Sequence, residues 1–258
     1  MLRSLLEIEG GVRLSLNVAL RAGRLARPPI FDSFLRQVYF TGVMASTGLL
    51  LRATALGVLV IAIVMDVLNA DADLAVKLLL WAVFREIGPL AAGMVVILRS
   101  GSAIAAEMAV MRVSGETDAL RHLDVNIYDY LVLPRVLGVT VATAAITFYI
   151  QFLAVLGGLA FAPLVIDATF TELLGGFTSL FSPVDLFYSV VKSLLFGFSI
   201  AACCCYQGLN PPELSQNAVP KVVTRAVTQS ALLVVFINAV FAYIVYGILF
   251  FGLVKAKV

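Results

Sequence analysis

The sequence is poor in charged residues and has a single histidine. Asp, Glu, Lys and Arg make up 13% of the 258 residues, about half of the share usual in soluble domains. Apolar residues reach 61%, well above the roughly 45–50% of a soluble domain. A soluble fold of this length could not keep so much apolar surface away from water. The composition therefore predicts an integral membrane protein.

Motifs of several other function classes are missing. No Lys/Arg-rich run offers a stripe for nucleic-acid phosphates, and the net charge is only +2. No Gly-x-x-x-x-Gly-Lys-Ser/Thr loop occurs, so we expect this chain not to hydrolyse ATP. The single histidine, His122, has no cysteine or serine motif around it. No catalytic constellation is recognisable, and the chain is predicted not to be an enzyme.

Features of secreted and metal-binding proteins are missing as well. The three cysteines, Cys203–Cys205, are adjacent within an apolar run, which suits neither a disulfide framework nor a zinc site. We expect them to act as small packing residues. Residues 1–12 lack the roughly 7–15-residue apolar core of a signal peptide. Membrane insertion is therefore expected to depend on the internal apolar segments.

Five apolar segments are long enough to cross a bilayer, since a helical span needs about 20 mostly apolar residues. Such long runs lack the two-residue alternation of barrel strands, so the predicted fold class is an all-α integral membrane protein. We expect an N-terminal region of residues 1–36 and a five-span transmembrane domain of residues 37–258. The predicted spans cover residues 38–65, 76–98, 131–161, 186–206 and 226–253.

The charges between the spans alternate in sign along the chain. Residues 1–36 carry six arginines and residues 99–135 carry four, whereas residues 66–73 and 162–185 carry acidic residues and no basic ones. The positive-inside rule then places the N-terminus in the cytoplasm. Five spans place the C-terminus outside, although Lys255 and Lys257 run against this orientation. The expected location is a bacterial inner membrane, with a periplasmic C-terminus.

The N-terminal region combines apolar residues and arginines at helical spacing. The pattern begins near Leu2 and ends at Pro28-Pro29. It predicts an amphipathic helix that lies in the cytoplasmic membrane interface. The same pattern is compatible with a helix that packs on a partner protein.

Two ionisable residues, Arg85 and Glu86, lie inside the second predicted span, just before Gly88-Pro89. Each costs roughly 2.5–3.5 kcal/mol near the bilayer centre, so each needs a polar partner or cavity. Adjacent residues of a helix point about 100° apart, so we expect partners on other helices. Gly88 and Pro89 should loosen the helix and free a carbonyl. The pair is therefore either part of a substrate cavity or part of a structural ion network.

Three further polar residues lie inside predicted spans. Arg52 lies deep in the first span and is a candidate for the same cavity. Asn238 lies near the middle of the fifth span and is placed with it, although a helix–helix hydrogen bond is the simpler explanation. Lys192, in the fourth span, is expected to extend its ammonium to the membrane interface rather than to bind substrate.

The basic connection after the second span contains a second informative pattern. From Glu107 to Leu120, apolar and charged positions mix, with a break at Ser114-Gly115. An apolar side outside the membrane favours a docking site for another protein. The alternative is a segment that caps the helix bundle.

Several short motifs of this region agree in order and spacing with one family. The motifs are Arg85-Glu86-Ile87-Gly88-Pro89, Arg99-Ser100-Gly101-Ser102-Ala103, Ala106-Glu107, Met111-Arg112-Val113, Asp118-Ala119-Leu120 and Tyr130-Leu131-Val132 before Pro134-Arg135. Further along, Lys192-Ser193-Leu194 and Thr224–Val227 fit the same family. On these motifs, the chain resembles the MlaE/YrbE family of permeases over roughly residues 35–245.

The resemblance implies a permease subunit of an ABC transporter. Such a subunit moves phospholipids or related lipids between the inner membrane and the outer envelope and contributes to outer-membrane lipid asymmetry. The implied partners are a second copy of the chain, an ABC ATPase subunit, an MCE-domain periplasmic lipid-binding subunit and, in some systems, a STAS-domain subunit. ATP and Mg would be bound by the ATPase, so no cofactor is expected in this chain.

The resemblance also implies roles for individual residues. Arg85 and Glu86 would line the lipid cavity near the dimer axis, and we place Arg52 and Asn238 with them. Residues 100–130 would form the cytoplasmic coupling region, and no metal or catalytic site is implied. The sequence departs from the family pattern at Gly115-Glu116, Asn126-Ile127 and Asn238. The residues expected to contact the ATPase are Glu107, Met111, Arg112, Glu116, Asp118 and Leu120.

Two other functions are compatible with the predicted spans. A stand-alone ion- or proton-coupled carrier or channel would need a relay of ionisable residues across several spans. Apart from Arg85 and Glu86, deep charges are sparse, which disfavours it. The other function is a purely structural subunit of a membrane complex. A cavity that holds lipid would distinguish the permease from it.

Overall fold

The computed structural model describes residues 2–21, 23, 25, 28–68, 72–161, 163, 175 and 182–255. These residues form ten α-helices and contain no β-strand, which confirms the predicted all-α class. We number the helices in chain order: α1 (Leu2–Arg21), α2 (Pro28–Val38), α3 (Met44–Leu68), α4 (Ala72–Trp81), α5 (Gly88–Val96), α6 (Ser102–Val113), α7 (Glu116–His122), α8 (Leu133–Phe161), α9 (Pro183–Leu209) and α10 (Ala218–Lys255).

Short π-helical turns join several of these helices end to end. A π turn shifts the backbone hydrogen bonds by one residue, and such turns are frequent at functional sites. Two of them link α4, α5 and α6, so helical conformation runs unbroken from Ala72 to Val113. The π turns within the described residues are Tyr39–Val43, Ala82–Ile87, Ile97–Gly101 and Tyr128–Val132.

Four helical stretches of the described chain are long and apolar enough to cross a membrane. They correspond to the second to fifth predicted spans, so this is a multi-pass membrane protein. The first predicted span lies mostly in α3, of which Leu50–Val60 is an apolar stretch too short to cross a membrane by itself. A count of five spans therefore stays a prediction. The four stretches are Lys77–Val113, Tyr128–Phe161, Pro183–Leu209 and Ala218–Ile244.

Helix α8 lies at the centre of the bundle and packs against α2, α3, α5 and α9. The hydroxyls of Thr143 and Thr147 are buried there. They donate to the carbonyls of Val139 and Thr143, one turn earlier, at 2.7 and 2.8 Å. This satisfies the hydroxyls within the helix, so α8 can bury them among apolar neighbours. Those neighbours include Val136, Ile146, Ile150, Phe196 and Ile200.

Helices α3 and α8 approach each other closely through two glycines. A Cβ added at Gly57 would overlap the backbone carbonyl of Ala154. A Cβ added at Gly157 would lie 2.8 Å from the carbonyl oxygen of Thr54. Helix association in membranes depends on such close backbone contact, because lipid tails compete for apolar side chains. The two glycines therefore fix the point at which α3 crosses α8.

Helix α1 packs against α9 and the π turn Tyr128–Val132. Its buried side includes Leu14 and Val18, which are 4% and 1% exposed. At its end, Arg21 Nη1 donates to Asp129 Oδ1 at 3.0 Å. The apolar side of α1 thus packs on the helix bundle of the same chain. It does so at the end of the bundle that contains the connection of residues 99–135, which carries four arginines.

We expect Gly57→Ala to destabilise the folded protein, because the backbone of α8 cannot move aside as a flexible side chain could. The free energy of unfolding should fall by about 1–3 kcal/mol, the usual cost of overpacking. The measurement is the midpoint of thermal unfolding in detergent. Gly48→Ala in the same helix is the matched control, since a Cβ there meets nothing within 4 Å. Equal shifts for the two variants would contradict the close approach.

Candidate functional site

The π turn Ala82–Ile87 carries Arg85 and Glu86 and leaves two backbone carbonyls without their usual donors. Pro89 has no N–H, so it cannot bond to the carbonyl of Arg85 four residues earlier. The N–H of Gly88 bonds to the carbonyl of Val83 and so bypasses Phe84. The carbonyls of Phe84 and Arg85 are therefore available to other partners.

Both carbonyls accept hydrogen bonds from other spans. Gln151 Nε2, on α8, donates to the carbonyl oxygen of Phe84 at 3.3 Å and to Ser189 Oγ at 2.5 Å. Lys192 Nζ, on α9, donates to the carbonyl oxygen of Arg85 at 2.6 Å. An unpaired backbone group in a membrane costs several kcal/mol, so these bonds matter for stability. The π turn thus ties the second span to α8 and α9.

Arg85 and Glu86 each pair with α9 rather than with each other. Arg85 Nη2 lies 2.6 Å from Asp185 Oδ1, and Nε donates to the same oxygen at 2.7 Å. Lys192 Nζ lies 3.1 Å from Glu86 Oε2. These contacts agree with the expectation that neighbouring side chains on a helix meet groups on other helices.

The prediction that Lys192 extends to the membrane interface is wrong. Its side chain is fully buried, at 0% exposure. Two acceptors hold the ammonium inside the bundle, the carboxylate of Glu86 and the carbonyl of Arg85. The ring of Tyr188 adds a cation–π contact, 5.6 Å from Nζ to the centroid. The single sequence could not reveal these partners, because those on the second span lie more than 100 residues away.

The two ion pairs differ in what they can do chemically. The Lys192 ammonium is fully buried, so its pair with Glu86, whose side chain is 23% exposed, holds α9 to the second span. The side chains of Arg85 and Asp185 are each 23% exposed. A guanidinium has five N–H donors, and Asp185 occupies only some of them. Arg85 can therefore bind a second anion or exchange Asp185 for one.

The other two predicted cavity residues are not joined to this network. Arg52 is exposed on α3. Asn238 lies on α10, where its Oδ1 is buried and has no hydrogen-bond partner within the described part of the chain. No polar contact between described residues links either side chain to Arg85 or Glu86. The role of both in a substrate cavity stays a prediction.

Sequence reasoning missed Gln151, Ser189 and Asp185 as members of the site. Gln151 had a usable signal, because an amide within a long apolar run needs a partner in the membrane. Asp185 was assigned to the acidic connection before the fourth span. The structure places it in the first turn of α9 instead.

A sharp turn separates α6 from α7 in the predicted coupling region. Gly115 has φ of 81°, in the left-handed region that favours glycine, and this is the predicted break. Arg112, at the end of α6, donates to Asp118 Oδ1 at 2.5 Å and to Thr117 Oγ1 at 3.3 Å. These bonds hold the seven-residue helix α7 at a fixed angle to α6.

The residues predicted to contact an ATPase occupy different environments. Glu107 and Glu116 are exposed; Glu107 pairs with Arg135 at 3.1 Å, and Glu116 accepts a hydrogen bond from Ser114 Oγ at 3.1 Å. Arg112 and Asp118 bond to each other. Met111 and Leu120 pack on the bundle core. The surface available to a partner here therefore includes α7, the turns on either side of it and the side of α6 that carries Glu107.

We expect a double-mutant cycle to show strong coupling between Glu86 and Lys192. Glu86→Gln leaves a buried ammonium without its counter-charge, which costs about 3–5 kcal/mol of stability. Lys192→Met alone should also lower the free energy of unfolding. The loss in the double variant should be smaller than the sum of the two single losses by about 0.5–3 kcal/mol. Thermal unfolding of the four proteins in detergent measures this. Additive effects would show that the pair does not interact.

The sequence of this chain is similar to proteins described as permeases. Residues 34–244 match the family described as Permease MlaE. A probable ABC transporter permease protein of Rickettsia felis is 30% identical over 219 residues, which cover 83% of each chain. A protein of Synechocystis with the same description is 33% identical over 157 residues, 61% of this chain and 59% of that one. The chloroplastic protein TRIGALACTOSYLDIACYLGLYCEROL 1 of Arabidopsis thaliana is 31% identical over 150 residues, 57% of this chain and 41% of that one. The chain belongs to the MlaE permease family.

Proposed function

We propose that this chain is the permease subunit of an ABC transporter that moves phospholipids or related lipids between the inner membrane and the outer envelope. The permease role is supported by the family and by relatives named as probable ABC transporter permeases. A lipid substrate is supported by the name of the Arabidopsis relative, which refers to a glycolipid. In this role, the chain would contribute to outer-membrane lipid asymmetry.

The partly exposed ion pair of Arg85 and Asp185 is the main structural support for a lipid substrate. A guanidinium inside an apolar span, paired with one carboxylate and still 23% exposed, suits the phosphate of a lipid headgroup. The phosphate would replace Asp185 on Arg85, and the acyl chains would lie against apolar helix faces. The buried ammonium of Lys192, bonded to Glu86 and to the carbonyl of Arg85, would hold the π turn in place during this exchange.

An ion- or proton-coupled carrier has less support. The two ion pairs that join the second span to α9 both lie beside the π turn Ala82–Ile87. A carrier needs ionisable groups distributed across the membrane as a relay. Local pairs of this kind favour headgroup binding or helix pairing.

The proposed topology has five spans with a cytoplasmic N-terminus and a periplasmic C-terminus. The arginines of residues 1–36 and 99–135 support this orientation under the positive-inside rule. In the proposal, residues 1–36 form an interfacial region, and residues 37–258 form the permease domain. The membrane would be a bacterial inner membrane.

The proposed assembly contains two copies of the chain. Only 11% of the apolar window of Ala218–Ile244 is buried, against 44–50% for the other three stretches. Together with the unpaired Oδ1 of Asn238, this supports a second copy packed on α10. ATP and Mg would be bound by a separate ATPase on the α6–α7 region. An MCE-domain subunit, and in some systems a STAS-domain subunit, would complete the transporter.

We expect Arg85→Gln to abolish most lipid transfer, whereas Asp185→Asn should retain it. Both variants break the same ion pair, so both lose the same structural contact. Only the first removes the group that would bind the phosphate. The measurement is transfer of a labelled phospholipid by the transporter purified with its partner proteins and reconstituted in vesicles.

The two variants also separate the structural explanation from the proposed one. If the pair only holds helices together, both variants should lose transfer and thermal stability to the same extent. Equal losses would therefore contradict a headgroup role for Arg85. Retained co-purification of the ATPase would show that assembly is intact.

We expect Glu116→Lys to reduce the amount of ATPase that co-purifies with the chain, by roughly tenfold or more if the carboxylate faces a basic partner. Glu116 is exposed at the start of α7, so the substitution should leave the bundle intact. Glu213→Lys is the matched control, since its side chain is 62% exposed in the connection before α10. Equal recovery of ATPase with both variants would contradict docking on α7.

A further inference from the structure

A basic cavity of about 520 Å³ lies between α1, the α6–α7 region and the end of α9. It is far from the ion pairs that Arg85 and Glu86 form with α9. Arg112, which lines it, follows Arg85 by 27 residues of unbroken helix, or about 40 Å. Besides the hydroxyl residues Thr117, Tyr128 and Tyr206, the polar part of its wall consists of three arginines and three asparagines: Arg13, Asn17, Arg112, Arg121, Asn126 and Asn210.

The cavity has an excess of positive charge. No Asp or Glu is among the described residues that line it. Asp118 reaches two of the arginines from α7, at 2.5 Å from Arg112 and 3.6 Å from Arg121. Arg13 makes a polar contact of its own. One carboxylate shared by two guanidiniums leaves donors of both for a further anion.

The position of α1 relates the cavity to the membrane. Arg13 and Asn17 lie one turn apart and line the cavity. Leu16 and Leu20, on the adjoining side of α1, are 58% and 84% exposed. Exposed leucines on a helix that packs beside membrane spans, here α9 and the start of the third span, are typical of a helix in the membrane interface. The arginine-rich connections place this interface in the cytoplasmic leaflet, where anionic lipids accumulate.

We propose that the basic cavity binds a phosphate group, and that the group belongs to an anionic lipid of the cytoplasmic leaflet. The guanidiniums and asparagine amides would bind the phosphate oxygens, and the acyl chains would lie along Leu16 and Leu20. The volume falls within the roughly 300–1,000 Å³ of small-molecule sites. This site does not depend on the proposed lipid transport, which concerns the region of Arg85.

Occupancy of the cavity would affect the coupling region. Arg112 is the residue that holds α7 at its angle to α6, through Asp118 and Thr117. A phosphate on Arg112 and Arg121 would compete with Asp118 for both. The bound lipid would therefore change how firmly α7 is held.

The test is a titration of the purified, delipidated full assembly with short-chain phosphatidylglycerol, followed by native mass spectrometry. Short-chain phosphatidylcholine and inorganic phosphate are titrated in parallel. We expect phosphatidylglycerol to bind more tightly than phosphatidylcholine, and Arg13→Gln with Arg121→Gln to weaken it by roughly fivefold for each arginine removed. Asn17→Asp, which adds a negative charge and removes no arginine, should weaken it too.

The matched control removes two basic residues outside the cavity on the same side of the bundle, through Lys221→Gln with Arg225→Gln. Equal weakening in this control would show a general surface effect and overturn the proposal. So would unchanged binding in both cavity variants. Cavity-dependent binding of inorganic phosphate without a preference for phosphatidylglycerol would support a phosphate site and assign it to a soluble compound. Because no transport is measured, failure here leaves the proposed role of Arg85 untouched.

Discussion

The contacts at the centre of this protein depend on the backbone N–H that Pro89 lacks. Because Pro89 has no N–H, the carbonyl of Arg85 needs a donor from elsewhere, and Lys192 supplies it. Placing an ammonium there in turn requires a negative charge, which Glu86 provides at 3.1 Å. The neighbouring carbonyl of Phe84 attracts Gln151 in the same way. Proline, lysine, glutamate and glutamine thus form one set of mutually dependent groups across three spans.

This dependence explains how far the sequence could be interpreted. The apolar runs predict the helices, because in a membrane the backbone can satisfy its hydrogen bonds in few other ways. The helical period predicts that Arg85 and Glu86 point apart. Local pattern also locates the break at Gly115, where the backbone has φ of 81°. Each of these conclusions concerns residues close together in the chain.

What the sequence could not predict are contacts between distant segments. From the sequence alone, Lys192 is expected to extend its ammonium to the membrane interface, because its partners on the second span are not apparent there. The residues predicted to contact an ATPase show the same limit, since their spacing does not distinguish exposed Glu116 from Met111, which packs on the core. Of the predicted cavity residues, Arg85 and Glu86 join one network because the π turn brings both to α9. No polar contact between described residues joins Arg52 or Asn238 to this network.

The glycine contact between α3 and α8 restricts how the protein can move. The backbone of α8 lies directly against Gly57, and the backbone and methyl group of Thr54 lie directly against Gly157, so the two helices cannot slide past each other without separating. Packed interfaces of this kind switch between discrete arrangements or move as rigid bodies. Helices α3 and α8 should therefore behave as one rigid unit throughout a working cycle. The less enclosed α10 would then be the part of the bundle that is freer to move.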